Sequence, residues 1–260
     1  MKIGFIGVGH MAGSILKAIS KNTEYEFYIN DVNYNHANDI SKVLPNKIIK
    51  CSSIDVIDNS DLIFLGVKPK DLADVLNEVR NNIKDKLIIS MAAGFSIEKI
   101  INITGDINLI RIMPNTPVEV SSGVTFYTKY KVSEDMLQKF IKVMTYTGSL
   151  YEIVEDKMDV VSVLTGSTPA YLDYFIDALS EFGVTKGFTK EESIEYVLKM
   201  ALGTILLNLS SSKSPKQLGD EVCSPGGSTI EGVKVLLDND FYKLINDAAN
   251  ASYNKNKKML

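Results

Sequence analysis

The opening stretch, MKIGFIGVGHMAGSIL, constrains this chain more than any other. Lys2 to Ile6 is a short apolar run suited to a buried parallel strand. Gly7, Gly9 and Ala12 follow with the spacing G-x-G-x-x-A, and Met11, Ile15, Leu16 and Ile19 then recur at helical spacing. The pattern predicts strand, tight glycine turn and helix. A Cβ at Gly7 would clash in the bend, and one at Gly9 would keep a pyrophosphate away from the backbone. The N–H groups that open the helix, at the positive end of its dipole, can then hold phosphates. The spacing alone is a weak signal, and a glycine turn can merely pack a strand on a helix. Its place between a strand and a helix, with another strand to follow, points to a dinucleotide turn built from Ile6, Gly7, Val8, Gly9, His10 and Met11.

A chain of 260 residues can bury one large core or two modest ones. Its net charge of −4 gives no electrostatic reason to expect nucleic acid or an anionic membrane as a partner. The first residues read as a strand rather than a signal peptide, and no uncharged run reaches the length of a membrane span. Cys51 and Cys223 lie far apart and suggest no disulfide framework, so a reducing cytoplasm is the default expectation. With two histidines, His10 and His36, and no C-x-x-C, no metal site is expected.

A second strand, Tyr25–Asn30, ends at Asp31, about 20 residues beyond the glycine turn, where an acidic group can reach the ribose hydroxyls of a dinucleotide. A carboxylate there accepts both hydroxyls of NADH and repels the 2′-phosphate of NADPH, and no arginine follows at Val32–His36. Asp31 or Asn33 could instead open a helix ending near Val43. Further strands are predicted at Lys47–Cys51, Asp61–Val67, Leu87–Ser90 and Asn108–Met113, with a helix at Asp71–Arg80. Strands alternating with helices imply a doubly wound parallel sheet, whose ligands sit beyond the carboxyl ends of the strands. Those ends carry the unusual residues Gly7–Met11, Asn30, Asp31, Val67, Lys68, Pro69, Ala92, Ala93, Gly94 and Asn115. Small side chains at Ala92 and Ala93 leave room for a nicotinamide ring. Val124–Tyr127 and Leu150–Ile153 could extend the sheet.

After about Asp156 helical periodicity takes over. Ala170–Phe182 and Lys190–Ser210 are apolar on more than one face, so they need partners on several sides; an intimate helical dimer would supply them, as would packing on the sheet. Cys223-Ser224-Pro225-Gly226-Gly227-Ser228-Thr229 then opens a helix through Leu237. Its glycines and hydroxyls form either a second anion nest, fit for a small carboxylate, or an ordinary capped start.

These residues resemble the pyrroline-5-carboxylate reductase family along essentially the whole chain. The likeness is carried by GFIGVGHMA, the VKP of Val67–Pro69, the MAAG of Met91–Gly94, RIMPNTP at Arg111–Pro117, TGSTPAY at Thr165–Tyr171 and SPGGSTIEG at Ser224–Gly232. It implies a Rossmann-type sheet domain over residues 1–155 for NADH or NADPH, and an all-helical substrate-binding and dimerisation domain over residues 156–260. It also implies an interlocked homodimer that can assemble further, up to a decamer. Backbone N–H groups of Gly226, Gly227 and Ser228 would bind the carboxylate of 1-pyrroline-5-carboxylate, Thr229 would hydrogen-bond the ring nitrogen, and Glu155 would stand near the substrate. Val67, Lys68 and Ala93 fall on family cofactor contacts. Three residues depart from the pattern: Ser53 where asparagine is frequent, Thr168 in place of a turn glycine, and Asp31 where NADPH users carry serine, threonine or arginine.

The expected reaction is hydride transfer to the C=N carbon, giving L-proline, with Thr229 orienting the nitrogen or relaying a proton. One rival is a β-hydroxyacid dehydrogenase, with Lys186, Lys190 or Lys199 as its lysine; none of them lies in a matching motif. The other is a non-catalytic dinucleotide-sensing module, which would have no need of the SPGGST loop.

Overall fold

The computed structural model describes residues 1–258 apart from 34–38, 40, 41, 43 and 45. The helix expected to end near Val43 therefore lies largely outside the described residues. The chain divides into two compact units: Met1–Gly166 with Tyr253–Leu260, the sheet unit, and Ser167–Ser252, the helical unit.

The sheet unit is built on strands β1 (Lys2–Ile6), β2 (Glu26–Asn30), β3 (Ile48–Lys50), β4 (Leu62–Leu65), β5 (Leu87–Ser90), β6 (Asn108–Met113), β7 (Gly123–Tyr130) and β8 (Gly148–Glu152), in the spatial order β3-β2-β1-β4-β5-β6-β7-β8. The strands from β1 to β6 pair in parallel. Their side chains alternate between two cores. Phe5, Phe64 and Ile89 enter one, and Ile6, Ile63, Leu65 and Ile88 enter the other. Both faces are covered, so these strands read as continuous apolar runs. Phe5 and Phe64 stack across neighbouring strands with ring centroids 4.8 Å apart.

The sheet is not parallel throughout: β7 runs antiparallel to β6, and β8 is parallel to β7. The connection from β6 to β7 is a short 3-10 turn, Thr116–Val120, with no length for a crossover helix. Helices α1 (His10–Ile19), α2 (Ser53–Asn59), α3 (Pro69–Val79), α4 (Ile97–Thr104) and α5 (Glu134–Met144) complete the layers, followed by the short α6 (Met158–Val161). The strand order reverses at β1, which lies between β2 and β4. The carboxyl ends of β1 and β4 thus flank the crevice where such sheets bind ligands.

The helical unit holds α7 (Thr168–Thr185), α8 (Lys190–Ser210), α9 (Pro215–Val222) and α10 (Ser228–Asp238), and α11 (Phe241–Lys257) begins within it. Its buried residues are Ser180 and Ser193. A Cβ placed on Gly183 would come 2.4 Å from Ser193 Oγ, so α7 and α8 meet through small residues. Their large side chains, Phe175, Phe182, Leu202, Leu206 and Leu209 among them, are exposed on the single chain. Among the described residues no helix is long and apolar enough to cross a membrane.

Candidate active site

How a helix begins separates structural positions from candidate ligand positions. Helices α2, α4, α5, α8 and α9 each start at a Ser or Thr whose hydroxyl accepts a backbone N–H of the first turn: Ser52, Ser96, Ser133, Thr189 and Ser214. Such a cap satisfies an otherwise orphaned donor. Helices α1, α3 and α10 begin at Gly9, Lys68 and Gly227, and none of these has a side-chain cap. At α1 and α10 the first-turn N–H groups have no side-chain acceptor, and an anion suits that position. At α3 Pro69 has no N–H and the Asp71 N–H is bonded to the Lys68 carbonyl at 2.9 Å, so that start offers less.

The first of these starts is the glycine turn. Gly7 has φ +83, and a Cβ on it would lie 2.8 Å from the backbone of Gly66 and Val67, so the fold itself demands glycine there. Gly9 is different. A Cβ on it would meet nothing within 4 Å, and its φ of −57 suits any residue. Nothing among the described residues requires glycine at this position; a dinucleotide pyrophosphate lying against the backbone does. The turn therefore fits the cofactor. His10 is exposed, while Met11 packs on the core.

Asp31 is clasped from two sides. Its Oδ2 accepts the Val8 N–H at 2.7 Å and its Oδ1 accepts the Asn33 N–H at 2.7 Å. A carboxylate has roughly four acceptor positions, so two remain for hydroxyls. The Asn30 side chain donates to the Cys51 carbonyl at 2.8 Å and accepts from Ser53 Oγ at 3.3 Å, which joins β2 to the start of α2. Its own carbonyl accepts the Gly7 N–H at 2.7 Å.

Beyond β4, Val67 touches the glycine turn and Pro69 occupies the first position of α3 after Lys68. Beyond β5, Ala92 is buried and Ala93 half-buried. Ala93 and Gly94 line a narrow cleft with Met113, Asp159, Ser162 and Asn256. The Asn256 amide donates to Ser162 Oγ at 3.2 Å. Asp159, Ser162 and Asn256 are absent from the sequence-level expectations, because no spacing links the end of α11 to the turn after β5.

Glu155 has partners that the sequence reading did not assign. Its Oε1 accepts from Arg111 Nη1 at 2.7 Å and from the Ile97 N–H at 2.8 Å. Arg111, in the middle of β6, has only 5% of its side chain exposed. A charged residue between isoleucines in a buried strand signals an internal carboxylate, since burying it unpaired is costly.

In the helical unit, Gly226 has φ +75, the Gly227 N–H is bonded to the Ser224 carbonyl at 3.0 Å, and Ser228 and Thr229 stand exposed at the start of α10. The loop leads into a helix start without a side-chain cap, a position that suits a carboxylate.

Comparison with known proteins agrees with this geometry. Residues 155–259 match the family model described as pyrroline-5-carboxylate reductase dimerisation, and residues 2–94 match one described as NADP oxidoreductase, coenzyme F420-dependent. The pyrroline-5-carboxylate reductase of Aquifex aeolicus is 34% identical over 262 residues, covering 100% of this chain and 97% of that protein. The chain belongs to the pyrroline-5-carboxylate reductase family. Solved structures of the family superpose on it closely. The Streptococcus pyogenes enzyme gives a TM-score of 0.90 at 34% identity, covering 99% of this chain and 98% of that one. The Plasmodium falciparum enzyme, with NADP bound, gives 0.91 at 28% identity, covering 100% and 98%.

Proposed function

We propose that this member of the reductase family transfers a hydride from NADH or NADPH to the C=N bond of 1-pyrroline-5-carboxylate, giving L-proline. The observation that carries the reading is the set of uncapped helix starts. Those that begin at glycine fall at the dinucleotide turn and at the glycine loop; α6 and α7, also without a side-chain cap, continue directly from preceding helical turns, and α2 and α5 are closed by hydroxyls. Full-length likeness to named reductases supports the same reading.

In this reading the turn from Ile6 to Met11 holds the pyrophosphate through backbone N–H groups, and Asn30 and Asp31 lie at the ribose. Val67, Lys68, Pro69, Ala92 and Ala93 border the nicotinamide ring. The bound dinucleotide supplies the hydride, so the chain's own work is to bind, align and exclude water. Backbone N–H groups of Gly226 and Ser228 hold the substrate carboxylate, and Gly227, whose own N–H is bonded to the Ser224 carbonyl, shapes the loop between them. Thr229 Oγ1 orients the ring nitrogen, which in the protonated imine already makes the neighbouring carbon electrophilic. Glu155 retains its proposed place near the substrate through Oε2, since both of its bonds fall on Oε1.

Asp31, fixed by two N–H donors, cannot swing aside for a 2′-phosphate, which favours NADH. The exposed apolar faces of α7 and α8 favour a homodimer, with a decamer as its higher assembly. Free thiols at Cys51 and Cys223 suit a reducing cytoplasm.

The test is steady-state turnover of pyrroline-5-carboxylate with each cofactor in parallel, for the wild type and Thr229→Ala. The wild type is expected to turn over with NADH preferred. The variant is expected to lose turnover, by about 10²-fold if the hydroxyl acts in proton transfer, with cofactor affinity retained. Unchanged turnover in the variant would remove Thr229 from the mechanism.

A further inference from the structure

We infer that Arg111 and Glu155 form a positioning pair that fixes the turn carrying Ala92 and Ala93 against the nicotinamide end of the cofactor. The inference rests on the reading above in one respect, that this turn borders the nicotinamide ring.

The turn runs from the end of β5 to the start of α4 and is held at both ends. At its beginning the Ala92 N–H reaches Ser90 Oγ at 3.5 Å. Inside it, Gly94 has φ +72 and the Phe95 N–H reaches back to the Ala92 carbonyl at 3.4 Å. At its end Ser96 caps α4 by accepting the Lys99 N–H at 3.2 Å. The Ile97 N–H, the first of the helix, goes instead to Glu155 Oε1 at 2.8 Å. Glu155 comes from the segment after β8, far away in sequence, so this bond is a long-range strut and not a local cap.

The strut is charged, and its counter-charge is buried. Arg111 Nη1 meets the same Oε1 at 2.7 Å. The Arg111 Nε is buried with no hydrogen-bond partner among the described residues. A guanidinium placed in a strand core at the expense of an unsatisfied donor is poorly explained by stability alone, because an apolar residue would fill a buried site at least as well. It is explained if the bond fixes a direction. The β6 strand that carries Arg111 continues into Met113, which lines the same cleft as Ala93 and Gly94. Arg111 thus anchors Glu155, and Glu155 anchors the far end of the turn. Hydride transfer is sensitive to such placement, since a small misalignment of reacting atoms costs about 10²-fold in rate.

The experiment compares Glu155→Gln and Arg111→Lys in the full-length enzyme. Both keep a polar group in place, and Arg111→Lys keeps the charge while losing the fork. Each variant is first checked for wild-type assembly by sedimentation. Affinity is then measured for reduced cofactor and for ADP-ribose, which lacks the nicotinamide. Turnover and the primary deuterium isotope effect from 4-deuterated cofactor are read in the same preparations. The expected result is about a tenfold fall in kcat in both variants, with each KM within about threefold. The isotope effect should rise, bound reduced-cofactor fluorescence should change, and ADP-ribose affinity should stay the same. Arg111→Lys decides the matter, because a buried strand residue cannot touch the substrate. If Arg111→Lys behaves as wild type while Glu155→Gln raises only the KM for the imine, Glu155 acts directly on substrate and the pair is overturned. Equal loss of ADP-ribose affinity would also overturn it, by showing general disruption. Wild-type turnover of pyrroline-5-carboxylate is measured first. Its absence would count against the proposed reaction, while the fluorescence and ADP-ribose arms would still decide the pair.

Discussion

The sheet unit and the helical unit use apolar residues in opposite ways. In the sheet unit Ile3, Phe5 and Phe64 are fully buried within one chain. In the helical unit Leu202 is 60% exposed and Leu209 80% exposed, and the residues that are buried are serines. The first unit closes its own core. The second joins two helices through small residues and holds its bulky side chains for something outside the chain. The hydrophobic term in folding is collected wherever apolar area leaves water, and nothing requires that to happen within one polypeptide. The contrast also explains the sequence pattern: α7 and α8 are apolar on several faces because the faces have separate duties, one toward each other and the rest toward a partner.

Four substitutions test the contrast, in order of expected effect. Leu206→Glu puts a charge on the apolar surface of α8. Sedimentation should show loss of the assembly and turnover should fall with it; an active dimer would break the comparison at its centre. Next come the two glycines of the turn. Gly7→Ala imposes about 1–3 kcal/mol of backbone strain on the sheet unit, in addition to the clash with Gly66, and should lower its denaturation midpoint. Gly9→Ala should change stability by less than about 0.5 kcal/mol, yet weaken cofactor binding measured by titration. Equal stability losses would mean that Gly9 too is structural.

The smallest effect concerns Glu119, which accepts from Lys17 at 2.9 Å and from Ser14 at 2.8 Å and so ties α1 to the turn after β6. The hydrogen bond from Lys17, aided by that from Ser14, lowers the carboxyl's pKa. A depressed folded-state value means that the stabilisation is present above the ordinary carboxylate range and is lost as pH falls through the folded value. Glu119→Gln should therefore cost about 0.2–1 kcal/mol at neutral pH, as an exposed pair does, and nothing in acid. Melting curves across that pH range check it. A larger cost would show that the surface, and not the core alone, supports the sheet unit.

Much of this was legible in the residues. The strands announced themselves because a strand covered on both faces must be apolar throughout, and the glycine spacing placed the tight turn between β1 and α1. The direction of β7 was not legible, because alternation in a strand says nothing about which way it runs; the short link from β6 decides that. Asp31 was visible as an acidic residue at the right distance, but its bond to the Val8 N–H depends on β1 and β2 lying side by side. The partnership of Arg111 with Glu155 was hidden for a similar reason. A lone charge within an apolar strand predicts a carboxylate partner without saying where in the chain it lies. The extent of the sheet unit escaped periodicity altogether: the last strand ends at Glu152, but the packing runs on to Gly166 and takes in the final turn of α11.

That last feature makes the chain a host with a guest. Residues Ser167–Ser252 leave the sheet unit and return to it, so the dinucleotide fold is interrupted by the helical one and not followed by it. An insertion of this kind can be exchanged as a cassette. Replacing it with another helical segment is expected to leave the glycine turn folded, because that turn packs against Gly66 and Val67 within the sheet unit.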